Sequence, residues 1–102
     1  MKLPHNPGYI EYLRNVERMT YSGTLEIYDC NITSILKEYS PHELKSMSDD
    51  DISRTILEFC KRKAAKRGKE HEVRSSSQTC KSYRSALRRY VAYLNAGGID
   101  NV

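Results

Sequence analysis

Acidic residues are absent between Val73 and Ile99, although this stretch carries five basic side chains. The five are Arg74, Lys81, Arg84, Arg88 and Arg89. A helix with a solvated polar face usually carries both charge signs, so a run of a single sign is unusual. Arginine and lysine can neutralise phosphates or contact guanine edges, and Gln78 can reach an adenine edge from the start of a helix. The stretch therefore favours binding to a nucleic acid.

Residue patterns typical of catalysis or metal binding are weak in this chain. None of the three histidines has a partner at ligand spacing. Asp49, Asp50 and Asp51 are consecutive, so their side chains point in different directions, and capping of a helix explains them better than a metal cluster. The cysteines, Cys30, Cys60 and Cys80, form no Cys-x-x-Cys pair, which predicts free thiols. We expect no catalytic residue, no metal and no cofactor.

The charge of the chain is unevenly distributed. Its 102 residues are enough for one domain, with a formal net charge of +4. Residues 1–53 carry a net −4 from five basic and nine acidic groups, and residues 54–102 carry a net +8 from twelve and four. A basic half on a small domain is the electrostatic footprint of a nucleic-acid binder, although many basic surfaces bind nothing in particular.

No segment of the sequence indicates a membrane or secreted protein. No stretch approaches the ~18 apolar residues that a membrane span needs. The first residues, Met1 to Pro7, lack the apolar run of a secretory signal. These observations predict a cytoplasmic protein with no membrane partner.

Apolar residues recur at helical spacing along the chain, and proline and glycine lie between the periodic segments. The predicted helices are 8–18, 22–39, 48–68 and a last one from Ser76 or Ser77 to residue 95, with a short turn through Leu44 before the third. The fold class is therefore all-α. Six of the eight tyrosines fall on the apolar stripes, whereas Tyr21 and Tyr93 are predicted to be partly exposed.

Two features of these helices allow more than one interpretation. The cations from Lys61 to Arg67 either complement the negative end of the helix dipole or bind a partner. The pattern Ser-x-Thr-x3-Tyr-x3-aliphatic occurs from Ser22 and again from Ser77, 55 residues later. It reflects either the same capping and stripe requirements met twice or two hairpins built alike, each exposing hydroxyls at a helix start suited to phosphate.

The stretch Ser-Gln-Thr-Cys-Lys-Ser-Tyr-Arg-Ser-Ala-Leu-Arg-Arg-Tyr-Val-Ala-Tyr-Leu at 77–94 resembles the core-binding domain of tyrosine recombinases, the phage-integrase and Xer-like enzymes. Ser-Asp-Asp-Asp-Ile-Ser-Arg-Thr-Ile-Leu-Glu-Phe at 48–59 and Ser22-Gly-Thr-x3-Tyr extend the resemblance to about residues 8–98. It implies a four-helix SAM-like bundle of two helical hairpins over residues 1–98, with an interdomain linker beginning at 99–102. Such a domain forms one jaw of a clamp around double-stranded DNA.

The resemblance also implies which side chains contact DNA. The hydroxyls and amide at the starts of the second and fourth helices would touch phosphates, and cations would extend along the groove. These residues are Ser22, Thr24, Ser77, Gln78, Thr79, Lys81, Arg84 and Arg88. Two features depart from the pattern. Glu26 and Asp29 make the second helix a poor groove helix beyond its first turn, and the loop at 68–75 is longer than expected.

The catalytic half of such enzymes has no counterpart in this chain, and none of the eight tyrosines is interpreted as a nucleophile. The resemblance thus implies a non-catalytic portion that binds DNA and does not cut it, with its own catalytic domain as a further partner. The parent enzyme would assemble as an oligomer on DNA. The oligomeric state of this portion alone is left open, and a monomer is one of the alternatives. A basic helical module that binds an acidic protein is the alternative, and a small standalone enzyme is disfavoured by the lack of clustered catalytic side chains.

Overall fold

The structure is a computed structural model that describes residues 4–74 and 77–98. It contains α1 (Pro7–Asn15), α2 (Ser22–Leu36), α3 (Pro41–Lys45), α4 (Asp49–Ala65) and α5 (Gln78–Asn95), with one 3-10 turn at Glu70–Glu72. No strand occurs in these described residues, and the predicted all-α class is confirmed. The predicted short turn through Leu44 closes into a helix of its own, so this part of the chain has five α-helices. Residues 99–102, the predicted linker, lie outside the described residues.

Local signals in the sequence set the helix boundaries. Ser40 and Ser48 both form capping boxes, in which the hydroxyl accepts the N–H of the residue three positions later. The backbone N–H of Ser48 in turn donates to the carboxylate of Asp51 and holds the pKa of that carboxyl below its ordinary value. Gly68 and Gly97 adopt positive φ angles of 67° and 85° after α4 and α5, which L side chains rarely adopt. The predicted stop before Gly97 is confirmed, whereas the predicted third helix is too long, because α4 ends at Ala65, three residues before Gly68.

Helix α5 packs against α2 with the opposite chain direction. The guanidinium of Arg89 lies over the ring of Tyr28, with Cζ 5.4 Å from the ring centroid. Three residues further along α2, the amide of Asn31 donates to the Ser82 hydroxyl at 2.9 Å. The two helices are antiparallel, because a later residue of α2 contacts an earlier residue of α5.

Helix α4 also runs opposite to α5. Its first residue, Asp49, lies 3.4 Å from Arg88, whereas Phe59 contacts Tyr83 with ring centroids 5.1 Å apart. Since α2 and α4 are both antiparallel to α5, their carboxyl ends lie at the end of the bundle where α5 begins. Their amino ends lie at the opposite end.

An aromatic core joins α1 to α5. Tyr9 is 1% exposed, its ring lies 5.1 Å from that of Tyr90, and its hydroxyl donates to the carbonyl of Ala86 at 2.8 Å. Burial raises the pKa of Tyr9 far above its ordinary value. The prediction that Tyr93 is partly exposed is wrong: it is 8% exposed, because the turn at Gly97 brings the Gly98 carbonyl onto its hydroxyl at 2.7 Å.

Asp29 corrects the view of α2 as a helix with an acidic outer surface. Its carboxylate is 5% exposed and accepts the backbone N–H groups of His5 and Asn6, each at 2.8 Å. The side-chain amide of Asn6 donates to the same carboxylate at 3.0 Å. Asp29 therefore holds the start of α1 against α2 and is not on the surface, whereas Glu26 is exposed.

The two copies of the Ser-x-Thr pattern are not equivalent at their helix starts. Ser77 is the N-cap of α5, and its hydroxyl accepts the N–H of Cys80 at 3.3 Å. Ser22 is already the first residue of α2, whose N-cap is Tyr21 with no side-chain capping bond. The aliphatic positions do match, because Ile32 and Leu87 are both fully buried. The repeat therefore reflects the shared apolar stripe more than a shared capping arrangement.

We expect Ser77→Ala to lower the free energy of unfolding by about 0.5–2 kcal/mol, because it removes a capping bond. Ser22→Ala removes no such bond and serves as the matched control, with an expected change within about 0.5 kcal/mol. Urea denaturation followed by circular dichroism measures both. Equal decreases in the two variants would show that the copies cap their helices alike.

Candidate nucleic-acid interface

The polar side chains of α5 that lie outside its apolar stripe form an outer face, and they are exposed to different degrees. Gln78, Lys81 and Arg88 are exposed. The flanking residues Ser82, Arg84, Ser85 and Arg89 are half-buried. Ser82 accepts a hydrogen bond from Asn31 and Arg84 is engaged in a contact of its own, so these two border the face.

The start of α4 and the turn after α1 supply carboxylates to α5, which has none of its own. Arg88 lies 3.4 Å from the carboxylate of Asp49, at the start of α4. Arg89 lies 3.4 Å from the carboxylate of Glu17, and its Nε is buried without a hydrogen bond. The sequence shows a face of one charge sign because these partners are far away along the chain. The positive charge of α5 is therefore partly offset in its second half, whereas Lys81, in the first half, has no ion pair with a described side chain.

The predicted phosphate contacts at the two helix starts do not come together. Ser22 is exposed and Thr24 half-buried at the amino end of α2, whereas Ser77, Gln78 and Thr79 lie at the other end of the bundle. The length of α2, 15 residues, separates the two groups by roughly 20 Å. A single phosphate cannot contact both groups. Each group would have to contact a different phosphate of a bound nucleic acid.

Cations from three segments gather where α5 begins, and we call this surface the basic end. They come from the carboxyl end of α2, the last turns of α4 and the residues that follow α4. The members are Lys37, Arg62, Lys63, Lys66, Arg67 and Lys69. The acidic first turn of α4, residues 49–51, lies at the opposite end. Two of the three carboxylates of that turn are paired, Asp51 with Arg54 and Asp49 with Arg88.

Two clefts open on the basic end and share Lys63. The first, the α4–α5 cleft, has a volume of about 370 Å³ and reaches the start of α5 at Ser77 and Thr79. The second, of about 300 Å³, separates α2 from α4. In the second, Arg62 pairs with Glu38 at 3.0 Å and also donates to the Tyr39 hydroxyl. Among the described side chains, the other five cations of the basic end form no ion pair.

The two buried cysteines lie on the wall of the α4–α5 cleft. Cys60 and Cys80 are both thiols, 5% and 1% exposed. Burial, together with a hydrogen bond to Cys80, raises the pKa of Cys60 to about 12. The Cys60 thiol therefore stays protonated at neutral pH, and both buried cysteines pack as small apolar side chains. Cys30 is exposed on α2.

Sequence reasoning left the main part of this surface open. The run from Lys61 to Arg67 was left open between the helix dipole and a bound partner, and Lys37 lies far from that run in the sequence. The feature of the sequence that could have indicated this surface is Gly68. Its left-handed conformation turns the chain so that the N–H of Lys69 donates to the carbonyl of Ala64 at 2.9 Å, and Lys69 joins the cleft.

Two further findings concern the residues that the structure describes. No three His, Cys, Asp or Glu side chains in ranges 4–74 and 77–98 lie close enough to share a metal ion. None of the helices in those ranges is both long and apolar enough to cross a bilayer.

Comparison with known proteins gives no match of any kind. No protein-family model, no curated protein and no solved structure matches this chain. The function is therefore argued from the charge and geometry of the basic end.

Proposed function

We propose that this chain is a DNA-binding domain that holds duplex DNA through the basic end and the first half of α5. The observation that carries the proposal is the cluster of cations at the basic end. Five of these cations form no ion pair among the described side chains, and three of the five, Lys63, Arg67 and Lys69, line the cleft that reaches the start of α5. Phosphate contacts of this kind release counterions and provide most of the affinity of sequence-independent binding.

Helix α5 is the element suited to the major groove. Its exposed Gln78 and Lys81 lie in its first turn and the next, beside the phosphate-binding cations of α4. A recognition helix contacts base edges with its amino-terminal residues while neighbouring elements rest on the backbone. In this proposal Ser77, Gln78, Thr79 and Lys81 are the principal contacts of α5, with Arg84 at the border. Arg88 contributes less, and Ser22 and Thr24 at the far end of α2 need a separate contact.

The resemblance to tyrosine recombinases gives the proposal its biological setting. In that setting the helices form the SAM-like bundle of the core-binding jaw, and the domain grips a crossover site in the cytoplasm without cutting it. Catalysis belongs to a separate domain of the parent enzyme. The short helix α3, which is additional to the four long helices, packs against α5.

The test measures fluorescence anisotropy with labelled duplexes of increasing length at low and moderate salt. We expect affinity to rise with length up to roughly 20 base pairs and to fall steeply with salt, because several phosphates are contacted. Poly-glutamate, added at the same total charge as the duplex, should compete poorly with the duplex for the protein. Binding that is independent of duplex length and equally inhibited by poly-glutamate would overturn the proposal and favour an acidic protein partner.

Lys81→Ala should weaken duplex binding more than Arg88→Ala. Each variant removes one cation from the same face, but among the described side chains only Arg88 of these two is paired with a carboxylate, that of Asp49. We expect Lys81→Ala to reduce the slope of log K against log salt by about one, and Arg88→Ala to change it by clearly less. Equal slopes for the two variants would show that the pairing with Asp49 does not matter.

A further inference from the structure

The α4–α5 cleft is large enough for more than a phosphate group. Its volume of about 370 Å³ lies within the range of roughly 300–1,000 Å³ that small-molecule sites occupy. It lies between the last turns of α4 and the start of α5, and its lining combines charged and apolar side chains. A ligand that fills it must therefore carry both an anionic group and an apolar body.

The rim of the cleft is cationic. Lys63, Arg67 and Lys69 line it, and none of the three forms an ion pair with a described side chain. Glu72 is the carboxylate among the described lining residues, so the rim has an excess of positive charge. Arg67 can bind two phosphate oxygens at once, because a guanidinium presents paired donors.

The floor of the cleft is apolar and contains an aromatic ring. Ala64, Val73 and the buried thiol of Cys80 provide the aliphatic part. The ring of Tyr83 also lines the cleft, and its edge-on contact with Phe59, with centroids 5.1 Å apart, fixes its position. Nucleic-acid bases stack on aromatic side chains whatever the identity of the base.

We propose that the α4–α5 cleft binds a single nucleotide, with the phosphate at Arg67 and Lys69 and the base against Val73 and Tyr83. The nucleotide has two sources with the same chemistry, a free nucleoside monophosphate or an unpaired nucleotide at the end of a DNA strand. The inference goes beyond the duplex contact proposed above, because a base stacked and paired inside a duplex cannot enter a cleft.

The test is an NMR titration of the whole chain at low salt with adenosine monophosphate, and separately with adenosine and with inorganic phosphate. We expect adenosine monophosphate to shift the amides of residues 63–69 and 79–83 and to bind about tenfold more tightly than either part alone. Inorganic phosphate that binds as tightly as the nucleotide would overturn the inference, since the floor would then hold no base. No shift in the cleft with any of the three probes would overturn it as well.

A matched pair of variants locates the site. Lys69→Gln should weaken binding of adenosine monophosphate by about three- to tenfold, because it removes one rim cation. Lys61→Gln makes the same change at an exposed position of α4 that lines neither cleft, and should leave the affinity unchanged within about twofold. An equal weakening in both variants would indicate a general effect of charge and would overturn the assignment to the cleft.

The source of the nucleotide is decided by comparing a blunt duplex with one carrying a single unpaired 5′-phosphorylated nucleotide. If the duplex with the unpaired nucleotide binds more tightly than the blunt duplex, and adenosine monophosphate abolishes the difference, the source is a strand end. If the two duplexes bind equally and adenosine monophosphate still binds the cleft, the source is the free monophosphate. The two proposals fail separately. Duplex binding at the basic end with no nucleotide shifts overturns this inference alone, whereas nucleotide shifts without duplex binding overturn only the proposed function.

Discussion

Replacing Lys66 and Arg67 together by alanine is expected to weaken binding to a duplex of roughly 20 base pairs by about 10- to 100-fold at low salt. Both side chains are exposed just after the last turn of α4, and neither forms an ion pair with a described side chain. The slope of log K against log salt should also fall by about one for every phosphate that the variant no longer neutralises. The measurement is fluorescence anisotropy over a salt series.

The matched control is Arg14→Ala with Arg54→Ala. It removes the same total charge from α1 and from the first half of α4, away from the basic end. The exposed pair between Arg54 and Asp51 contributes little to stability, so the control should remain folded. We expect its affinity to fall by less than about threefold. Equal decreases in the two double variants would mean that net charge, and not the basic end, determines binding.

Replacing Asp29 by alanine is expected to lower the free energy of unfolding by about 1–3 kcal/mol. The change leaves the N–H groups of His5 and Asn6, which both donate to the carboxylate at 2.8 Å, without their acceptor. It also releases the start of α1 from α2. For a chain of this size, each 1 kcal/mol corresponds to roughly 4–8 °C in Tm, so the decrease is measurable by thermal denaturation.

Glu26→Ala is the control for Asp29, because it removes a carboxylate from the exposed side of the same helix. Its expected change in stability is within about 0.5 kcal/mol. Asp29→Asn, which keeps one acceptor oxygen, should fall between the two. Asp29→Ala as stable as Glu26→Ala would contradict the assignment of Asp29 as the residue that holds α1 against α2.

Most of the secondary structure could be predicted from local signals. The capping serine Ser48, Pro41 at the start of α3, and the glycines Gly68 and Gly97 each act on the few residues beside them. The physical reason is that a helix end is decided by whether its free N–H or C=O groups find a partner nearby in the chain. These boundaries therefore follow from the sequence to within a few residues.

Contacts between helices could not be predicted in this way. Asp29 was expected on a surface and caps another helix, Tyr93 was expected to be exposed and is covered by Gly98, and Arg88 meets a carboxylate 39 positions earlier in the chain. The ion pair of Arg88 depends on how α5 packs against α4, the contacts of Asp29 on how α1 packs against α2, and the contact of Tyr93 on the turn that follows α5. Helical periodicity indicates which face is apolar but not which element covers it.

In the candidate site, too, some residues could be predicted from local patterns and others could not. The exposed residues Gln78 and Lys81 follow from the stripe of α5 alone. The basic end does not, because its cations come from α2, α4 and the turn after Gly68 and gather only when α2 and α4 run in the same direction. The separation of Ser22 from Ser77 follows from the same antiparallel packing.

Whether the basic end is the DNA-binding surface can be decided by an NMR titration of the whole chain with a duplex of roughly 20 base pairs at low salt, which detects even the ~10⁻⁴ to 10⁻⁶ M affinity of non-specific binding. We predict that chemical-shift changes concentrate at residues 61–69 and 77–84, with residues 22–26 and 49–51 little affected. Shifts concentrated at 22–26 and 49–51, or no shifts at the basic end, would contradict the proposed mode of binding.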